Sequence, residues 1–558
     1  MTRLVPLAIA VLCLVGLFLG LDRIGFVDQG EARDAEVARE LLERKELLTP
    51  ALGGEALFDK PLLGYGVDAA GAFLTPDSPL GGRLLRGALA VALVLLTASI
   101  GARHFGPRAG ACAAAVLASS LALPLAVRTD ATQLLATLLA WAGVGGLADA
   151  LFGRSAGRES RLVVGYGAVA TAFLCGGPLP ALWPLGGIAL YLGLTRRPRG
   201  WRALGLGAGL SIVLGLALPW YGAMVERYGL AFTAHVFFFP YAAAARDSWW
   251  AGPARAMAFL VVGCFPWSAL VPGAALHAAT LWRMPRRGIL APPATRTGSA
   301  ADPGSRELRE ESAAHCFIAC LAASLAPLLL YPVPPLAAAL SAAPAAALLC
   351  GRLLDHLIED PRRVFRPVVS AERMMALLGA TGALLLALVA SRLGRAAPSL
   401  AHLAAVLLVL SLAPLLAGFL GRHRLAAGLM ALPVGLGTPF VSLAVLPQVE
   451  DFLNARSVAH AMDAAAPRRA ALVVIGPPPP SLRLYAPRNL VPVDAAARAR
   501  DDGTLALRTA IRQFRASDHL TYVAFRPQSE PLLVRAARGP LEIVLRAPSL
   551  VLARVHPE

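Results

Sequence analysis
The sequence predicts an all-α polytopic membrane protein that carries a small α/β domain at its C-terminal end, and three observations predict it. The 558-residue chain is 57% hydrophobic and only 16% charged, and its mean hydropathy of +0.61 is too high for a soluble core of that length. Apolar stretches long enough to cross about 30 Å of hydrocarbon recur along it. After residue 448 the composition changes to short strand-like runs between helical stretches.

Taken in order, the apolar stretches lie near 4–24, 84–102, 109–127, 131–151, 162–177, 179–195, 203–221, 255–280, 314–331, 335–351, 374–391, 399–420 and 425–447, about thirteen spans. The first follows Arg3 and has no small-residue cleavage site after it, so it reads as an uncleaved anchor. The formal net charge of +17 is almost wholly arginine, since Lys45 and Lys60 are the only lysines. Arginines at 103 and 108, at 154, 158 and 161, and at 196, 197, 199 and 202 occupy every second loop, and the alternation continues to Arg422 and Arg424. Basic residues are retained on the cytoplasmic side. The charge is thereby spent on topology and headgroup contact, and no nucleic-acid partner is expected.

This orientation places the N-terminus in the cytoplasm and three regions outside: the first loop (25–83), a second large loop (221–254) and the C-terminal domain (448–558). The membrane domain is then 1–447, with a cytoplasmic linker at 281–313 whose centre, "GILAPPATRTGSAADPGS", is rich in Pro, Ala, Ser and Gly. A bacterial inner membrane is the expected location. In the last domain "AALVVIGPPPPSLRLYAP", "HLTYVAFRP" and "LEIVLRAPSLVLARV" carry strand-like runs, with helices expected around 452–465 and 504–516. The seven cysteines fall inside or at the edge of apolar runs, which predicts small hydrophobes and no disulfide framework. A Walker loop, a dinucleotide glycine fingerprint and zinc-ligand spacing are all absent from the sequence, which argues against cytoplasmic ATP-driven or redox chemistry.

The first loop concentrates the charge: "GEARDAEVARELLERKELLTPALGGEALFDKPLLGYG" at 30–66. Residues 31–46 read as one helix lying along the membrane surface, with Ala35, Ala38, Leu41 and Leu42 on an apolar side and Glu36, Arg39, Glu40, Glu43 and Arg44 at pairing distance. Solvated, paired charges account for Glu40, Glu43, Arg44 and Glu46. Glu31, Arg33 and Asp34 stand apart, because they lie at the exit of the first span beside Asp28. A carboxylate there suits proton abstraction from an acceptor, and an arginine suits a phosphate. Asp59 and Lys60 precede a proline that enforces an extended turn. A lysine in an arginine-choosing chain suits a lipid phosphate as a point charge, though a plain surface lysine fits the same residue.

"GEARDAEVARELL" followed by "FDKPLLGY" resembles the first external loop of the GT-C membrane glycosyltransferases of the ArnT and protein O-mannosyltransferase type. "VRTDATQLLATLLA" (127–140) is similar to the family's second-loop acidic element. "LPWYGAMVERYGLAF" with "HVFFFPYAAAARDSWWAGP", "SAAPAAALLCGRLLD" and "PPSLRLYAPR" continue the likeness in order over most of 1–490. The resemblance implies an inverting enzyme that moves a sugar from a polyprenyl-phosphate carrier to a lipid (lipid A among them), glycan or protein acceptor at the outer face. By this resemblance the candidate acids are Asp28, Glu31, Asp34 and Asp130; the donor phosphate falls to Lys60 with Arg33, Asp59 and Arg246; and Tyr65, His235 and Tyr241 belong to substrate loops. No cofactor is certain, and a divalent metal is left open.

This chain also departs from the family's pattern. Alignment of the first loop places Gly30 on the family's first acid, the residue usually assigned as catalytic. Asp34 stands where the family often has tyrosine, Gly176 where it often has lysine, and "YPVPPLAAAL" replaces a basic element before the tenth span. Two other readings therefore stay open. One is a non-catalytic relative that binds lipid-linked sugar or a partner enzyme; the other is a lipid or solute transporter, which would predict charges inside spans or symmetric broken helices.

Overall fold
A computed structural model describes residues 4–28, 30–46, 48–76, 78–153, 157–196, 198–237, 251–280, 303–330, 335–394, 397–465, 472–486, 490–493, 521–536 and 541–555. Tyr241, Arg246, the centre of the 281–313 linker, the 331–334 segment and the helix expected at 504–516 lie outside the described residues. The membrane domain opens with α1 (Leu4–Phe18), α2 (Glu31–Arg44), the small hairpin β1 (Ala51–Leu52) and β2 (Glu55–Ala56), and α3 (Gly66–Leu74). It continues with α4 (Leu80–Phe105), α5 (Pro107–Ala118), α6 (Ala122–Thr129), α7 (Ala131–Phe152), α8 (Arg158–Gly176) and α9 (Pro178–Leu194).

By length and composition, six helices among the described residues can cross a membrane, or seven if the bent pair α5–α6 is one span. The expected count of about thirteen is not confirmed among the described residues, and several of the expected spans are short or broken there. α1 has only 15 residues and α9 only 17. The stretch at 109–127 breaks by 55° between α5 and α6. There Ser119 and Ser120 donate back to the carbonyls of Ala115 (2.5 Å) and Val116 (2.7 Å), and the Leu121 N–H leaves the helix for the Phe265 carbonyl at 3.0 Å; such back-bonding bends helices. The stretch at 255–280 is likewise two helices, Ala251–Gly263 and Val271–Thr280. Its Trp267 indole donates to Ser119 Oγ at 2.8 Å, so the two breaks pack on one another.

The helices approach closely where side chains are small, the usual means of association in lipid. A Cβ on Gly71 of α3 would lie 2.5 Å from Gly82 of α4, so the two backbones touch. This contact brings Asp68 of α3 beside Arg86 of α4.

The C-terminal domain is α/β, as the composition shift predicts. Its five-stranded sheet has the order β4-β3-β5-β7-β6, with β3 Leu472–Ile475, β4 Leu490–Val493, β5 Thr521–Phe525, β6 Leu541–Arg546 and β7 Val551–Val555. β4, β3 and β5 run parallel, while β5, β7 and β6 are antiparallel. Both faces are buried: Leu472, Val474 and Tyr522 pack with Val458 and Met462 of the helix Arg456–Ala465, and Val473, Val523 and Val551 pack with Leu533. Near-continuous apolar strands follow from this two-sided cover.

The domain is fastened to the segment that leads into α2. Gly25 N–H donates to Glu450 Oε1 (2.8 Å), Phe26 N–H to the Tyr485 hydroxyl (2.7 Å), and Asp28 N–H to the Leu453 carbonyl (2.9 Å).

Candidate active site
α2 forms as its sequence requires. Glu31 and Asp34 occupy the first turn, where acids complement the helix dipole, and the chain leaves the helix at Lys45 in a left-handed conformation (φ 53°). Ala35, Val37, Ala38 and Leu41 are buried, while Leu42 is exposed. Four carboxylates, those of Glu31, Asp34, Glu36 and Glu40, are buried as well. The picture of solvated charges is thus corrected for Glu40, while Glu36 pairs within the helix as its spacing predicts. Glu36 accepts from Arg39 at 2.7 Å, and Glu40 accepts the backbone N–H groups of Gly53 and Gly54.

Glu31 anchors the helix. Arg83 Nη2 donates to its Oε2 at 2.6 Å and Arg86 Nη2 approaches its Oε1 at 2.8 Å. The remaining donors of Arg83 reach the carbonyls of Leu21 (2.7 Å), Ile24 (2.9 Å) and Gly25 (2.8 Å). Burial opposes ionisation of Glu31, but the two guanidiniums outweigh it and hold its carboxyl below the usual range. With both oxygens so engaged, Glu31 is placed as the bolt between α1, α2 and α4. Arg86 also meets Asp68 Oδ1 at 3.4 Å; Asp68 Oδ2 and Arg86 Nε and Nη1 are buried and without a hydrogen-bond partner. Burial pushes Asp68 up to about 7, against the pull of Arg86.

One turn on, α2 faces Lys60. The lysine Nζ donates to Asp34 Oδ2 at 2.5 Å and to Thr132 Oγ1 at 2.7 Å, and it lies 4.7 Å from the centroid of the Tyr65 ring. The Thr132 hydroxyl in turn donates a hydrogen bond to the Gly64 carbonyl at 2.7 Å. Gly64 admits this approach because a Cβ there would come within 2.6 Å of the Cys175 carbonyl oxygen. Burial works against the ammonium; the carboxylates of Asp34 and Asp130 outweigh it and keep Lys60 above its ordinary range. Asp130 caps α7, its Oδ1 accepting the Gln133 N–H at 3.0 Å. Burial raises its pKa, and Lys60 moderates the rise.

Toward solvent, Arg33 pairs with Asp59, whose other oxygen faces His235 Nε2 at 3.3 Å. The pair Lys60–Asp34 and the set Arg33–Asp59–His235 are therefore neighbours through adjacent residues of the chain, and the charges of both pairs act on Tyr65. Tyr65, only 1% exposed, sits behind the lysine as packing. Asp28 is turned elsewhere: its Oδ1 accepts the Ser481 N–H of the C-terminal domain at 2.7 Å, and burial raises its pKa.

Gly30, in the place of the family's first acid, caps α2 with φ 102° and ψ −62°. A Cβ there would meet only the Thr129 carbonyl oxygen, at 3.5 Å. Backbone conformation, not space, excludes a side chain. The vacated position adjoins the Thr129–Asp130 turn.

Four residues of this network escape sequence reasoning: Asp68, Arg83, Arg86 and Thr132. Arg83 and Arg86 carry a usable signal, since paired arginines at the mouth of an otherwise charge-free span mark a function or a buried partner. Among the described residues no group of three or more His, Cys, Asp or Glu side chains stands together to hold a metal, so no step is routed through one.

No family model and no curated protein sequence matches the chain. Its structure is similar to that of ArnT from Cupriavidus metallidurans in the apo state (TM-score 0.72, 17% identity, over 99% of this chain and 97% of that one). It is equally similar to ArnT from Cupriavidus metallidurans bound to undecaprenyl phosphate (TM-score 0.72, 19% identity, 98% and 97%). The Archaeoglobus fulgidus oligosaccharyltransferase tethered to an acceptor peptide is a more distant likeness (TM-score 0.51, 11% identity, 96% and 70%). The chain has the GT-C fold. It matches ArnT along almost its whole length, from the first span through the C-terminal sheet.

Proposed function
We propose that the chain is an inverting glycosyltransferase of the membrane, moving a sugar from a polyprenyl-phosphate carrier to an acceptor on the outer face of a bacterial inner membrane. The observation that carries this reading is Lys60, a half-buried ammonium paired with Asp34 and within electrostatic reach of Asp130, in a fold shared with a protein whose structure holds undecaprenyl phosphate. A lysine and a nearby arginine, Arg33, supply the positive charge that a phosphate leaving group needs. Asp34 and Asp130 supply carboxylates for the acceptor's proton. Lipid, glycan and protein acceptors all present a hydroxyl or amine that such a carboxylate can serve.

The test is sugar transfer by purified full-length protein from a panel of polyprenyl-phosphate sugars. Wild-type turnover that falls at least about a hundredfold in Lys60→Ala supports the reading. Equal turnover in the two proteins removes it. A second reading, a relative that binds the carrier without turnover, is favoured by one observation: the positive φ of Gly30 bars a carboxylate from the family's first acid position. Wild-type protein that binds the carrier and transfers nothing would select it.

A further inference from the structure
Among the described residues, the two cations assigned to the donor phosphate, Lys60 and Arg33, are already neutralised by the chain's own carboxylates. Lys60 Nζ sits 2.5 Å from Asp34 Oδ2, and Arg33 is paired with Asp59. The pairs differ in burial, with side-chain exposures of 17% and 12% for Lys60 and Asp34 against 39% and 34% for Arg33 and Asp59. A buried ammonium without a counter-ion is costly, so an apo site of this kind needs an internal anion. Asp34 fills that need at a position where the resembling family often has tyrosine.

We propose that the donor phosphate displaces Asp34 from Lys60 and Asp59 from Arg33, and that Asp34, released by the donor's arrival, is the base that takes the acceptor's proton; this rests on the reading of Lys60 as the phosphate site. A sugar phosphodiester carries one negative charge, which Lys60 and Arg33 share in place of the two carboxylates they release. As the bond from the anomeric carbon to the phosphate oxygen breaks, its electron pair leaves with the carrier phosphate, which approaches two negative charges and meets two cations. The acceptor oxygen forms the new bond to the anomeric carbon while its proton passes to the Asp34 carboxylate, which returns it to water.

The arrangement gives Asp34 two exclusive partners. While it holds Lys60 it is a counter-ion, and its lone pairs are spent on the ammonium. Once phosphate holds Lys60, the carboxylate stands one hydrogen-bond length from the leaving group's clamp with no partner of its own. Asp130 stays in place through the cycle, since its Oδ1 caps α7. The chemistry is thereby ordered, with donor binding first and proton abstraction after. Thr132, bridging Lys60 and the Gly64 carbonyl, keeps the ammonium in position while its anion changes.

The experiment measures equilibrium binding of a short-chain polyprenyl monophosphate, and sugar transfer, for full-length protein in nanodiscs. The variants are Asp34→Asn, Asp59→Asn and Lys60→Ala, each checked for the wild-type melting transition. Asp34→Asn is expected to bind the phosphate about tenfold or more tightly while losing at least about a hundredfold in turnover. Asp59→Asn is expected to tighten binding several-fold, and because Asp59 is a surface residue this arm remains readable if Asp34→Asn fails to fold. Binding lost in Lys60→Ala but unchanged or weaker in both carboxylate variants overturns the exchange and leaves the phosphate site standing. Wild-type protein that binds no polyprenyl phosphate overturns both.

Discussion

At the scale of the residue, the most consequential position is one without a side chain. Gly30 holds φ 102° at the start of α2, a conformation that costs an L-residue roughly 1–2 kcal/mol. Gly30→Asp should therefore lower the melting temperature without raising turnover; a variant more active than wild type would show that the lost carboxylate has no substitute nearby. Asp68 offers a second test. Its value of about 7 lies above the ordinary 3.8, so the folded chain holds a proton that the unfolded chain has released across that interval. Stability then falls as pH rises through the window from about 4 to 7. Thermal melts at pH 5 and pH 8 should show this loss, and Asp68→Asn, with Arg86, Glu31, Lys60 and Asp34 still in place around it, should flatten the profile. An unchanged slope in the variant would assign the loss to another group. Among the candidate residues, Asp130 could be named from its place at the edge of an apolar stretch, Asp34 from the charged block that follows the first span, and Lys60 as one of only two lysines in the chain. Thr132 was not, since a threonine within a span acquires meaning only when the fold sets it 2.7 Å from Lys60.

At the scale of the element, α2 was legible in extent and only half legible in burial. The charge pattern predicts 31–46 and the helix is Glu31–Arg44, because dipole-compatible acids and an apolar stripe are local properties. Burial of Glu31 and Glu40 depends on partners supplied by other elements, namely Arg83 on α4 and the Gly53–Gly54 turn. The apolar stretch beginning at 84 likewise left Arg83 and Arg86 unread as ion-pair partners. These contacts make Glu31 a structural residue in energetic terms. Removing one member of a buried pair strands the other, at a cost of about 3–5 kcal/mol. Glu31→Ala should melt well below wild type, and Glu31→Gln, which keeps the shape but not the charge, should fall between. Loss of turnover in Glu31→Gln with an unaltered melting curve would instead give Glu31 a chemical role.

At the scale of the whole molecule, the fold class and the C-terminal α/β domain were legible, whereas the helix breaks were not. Hydropathy reports how apolar a segment is, but the bend between α5 and α6 arises where Ser119 accepts from Trp267 and Leu121 donates to Phe265, contacts between segments far apart in sequence. The relation of the C-terminal domain to the site was similarly hidden. The external placement expected from its sequence suggests acceptor screening, yet its contacts fall on the irregular segment that enters α2: Ser481 to Asp28, Tyr485 to Phe26, and Glu450 to Gly25. The Arg83 guanidinium of α4 grips the same segment through the Ile24 and Gly25 carbonyls. The domain therefore clamps the N-terminal end of the helix that carries Arg33 and Asp34, and truncation after residue 448 should abolish turnover toward every acceptor together with part of the fold. Tyr485→Phe separates these effects: it removes only the hydroxyl that receives the Phe26 N–H, at a cost of about 1 kcal/mol, and should lower turnover uniformly across acceptors. A change in acceptor preference with an unchanged total rate would return the domain to a screening role and detach it from the positioning of α2.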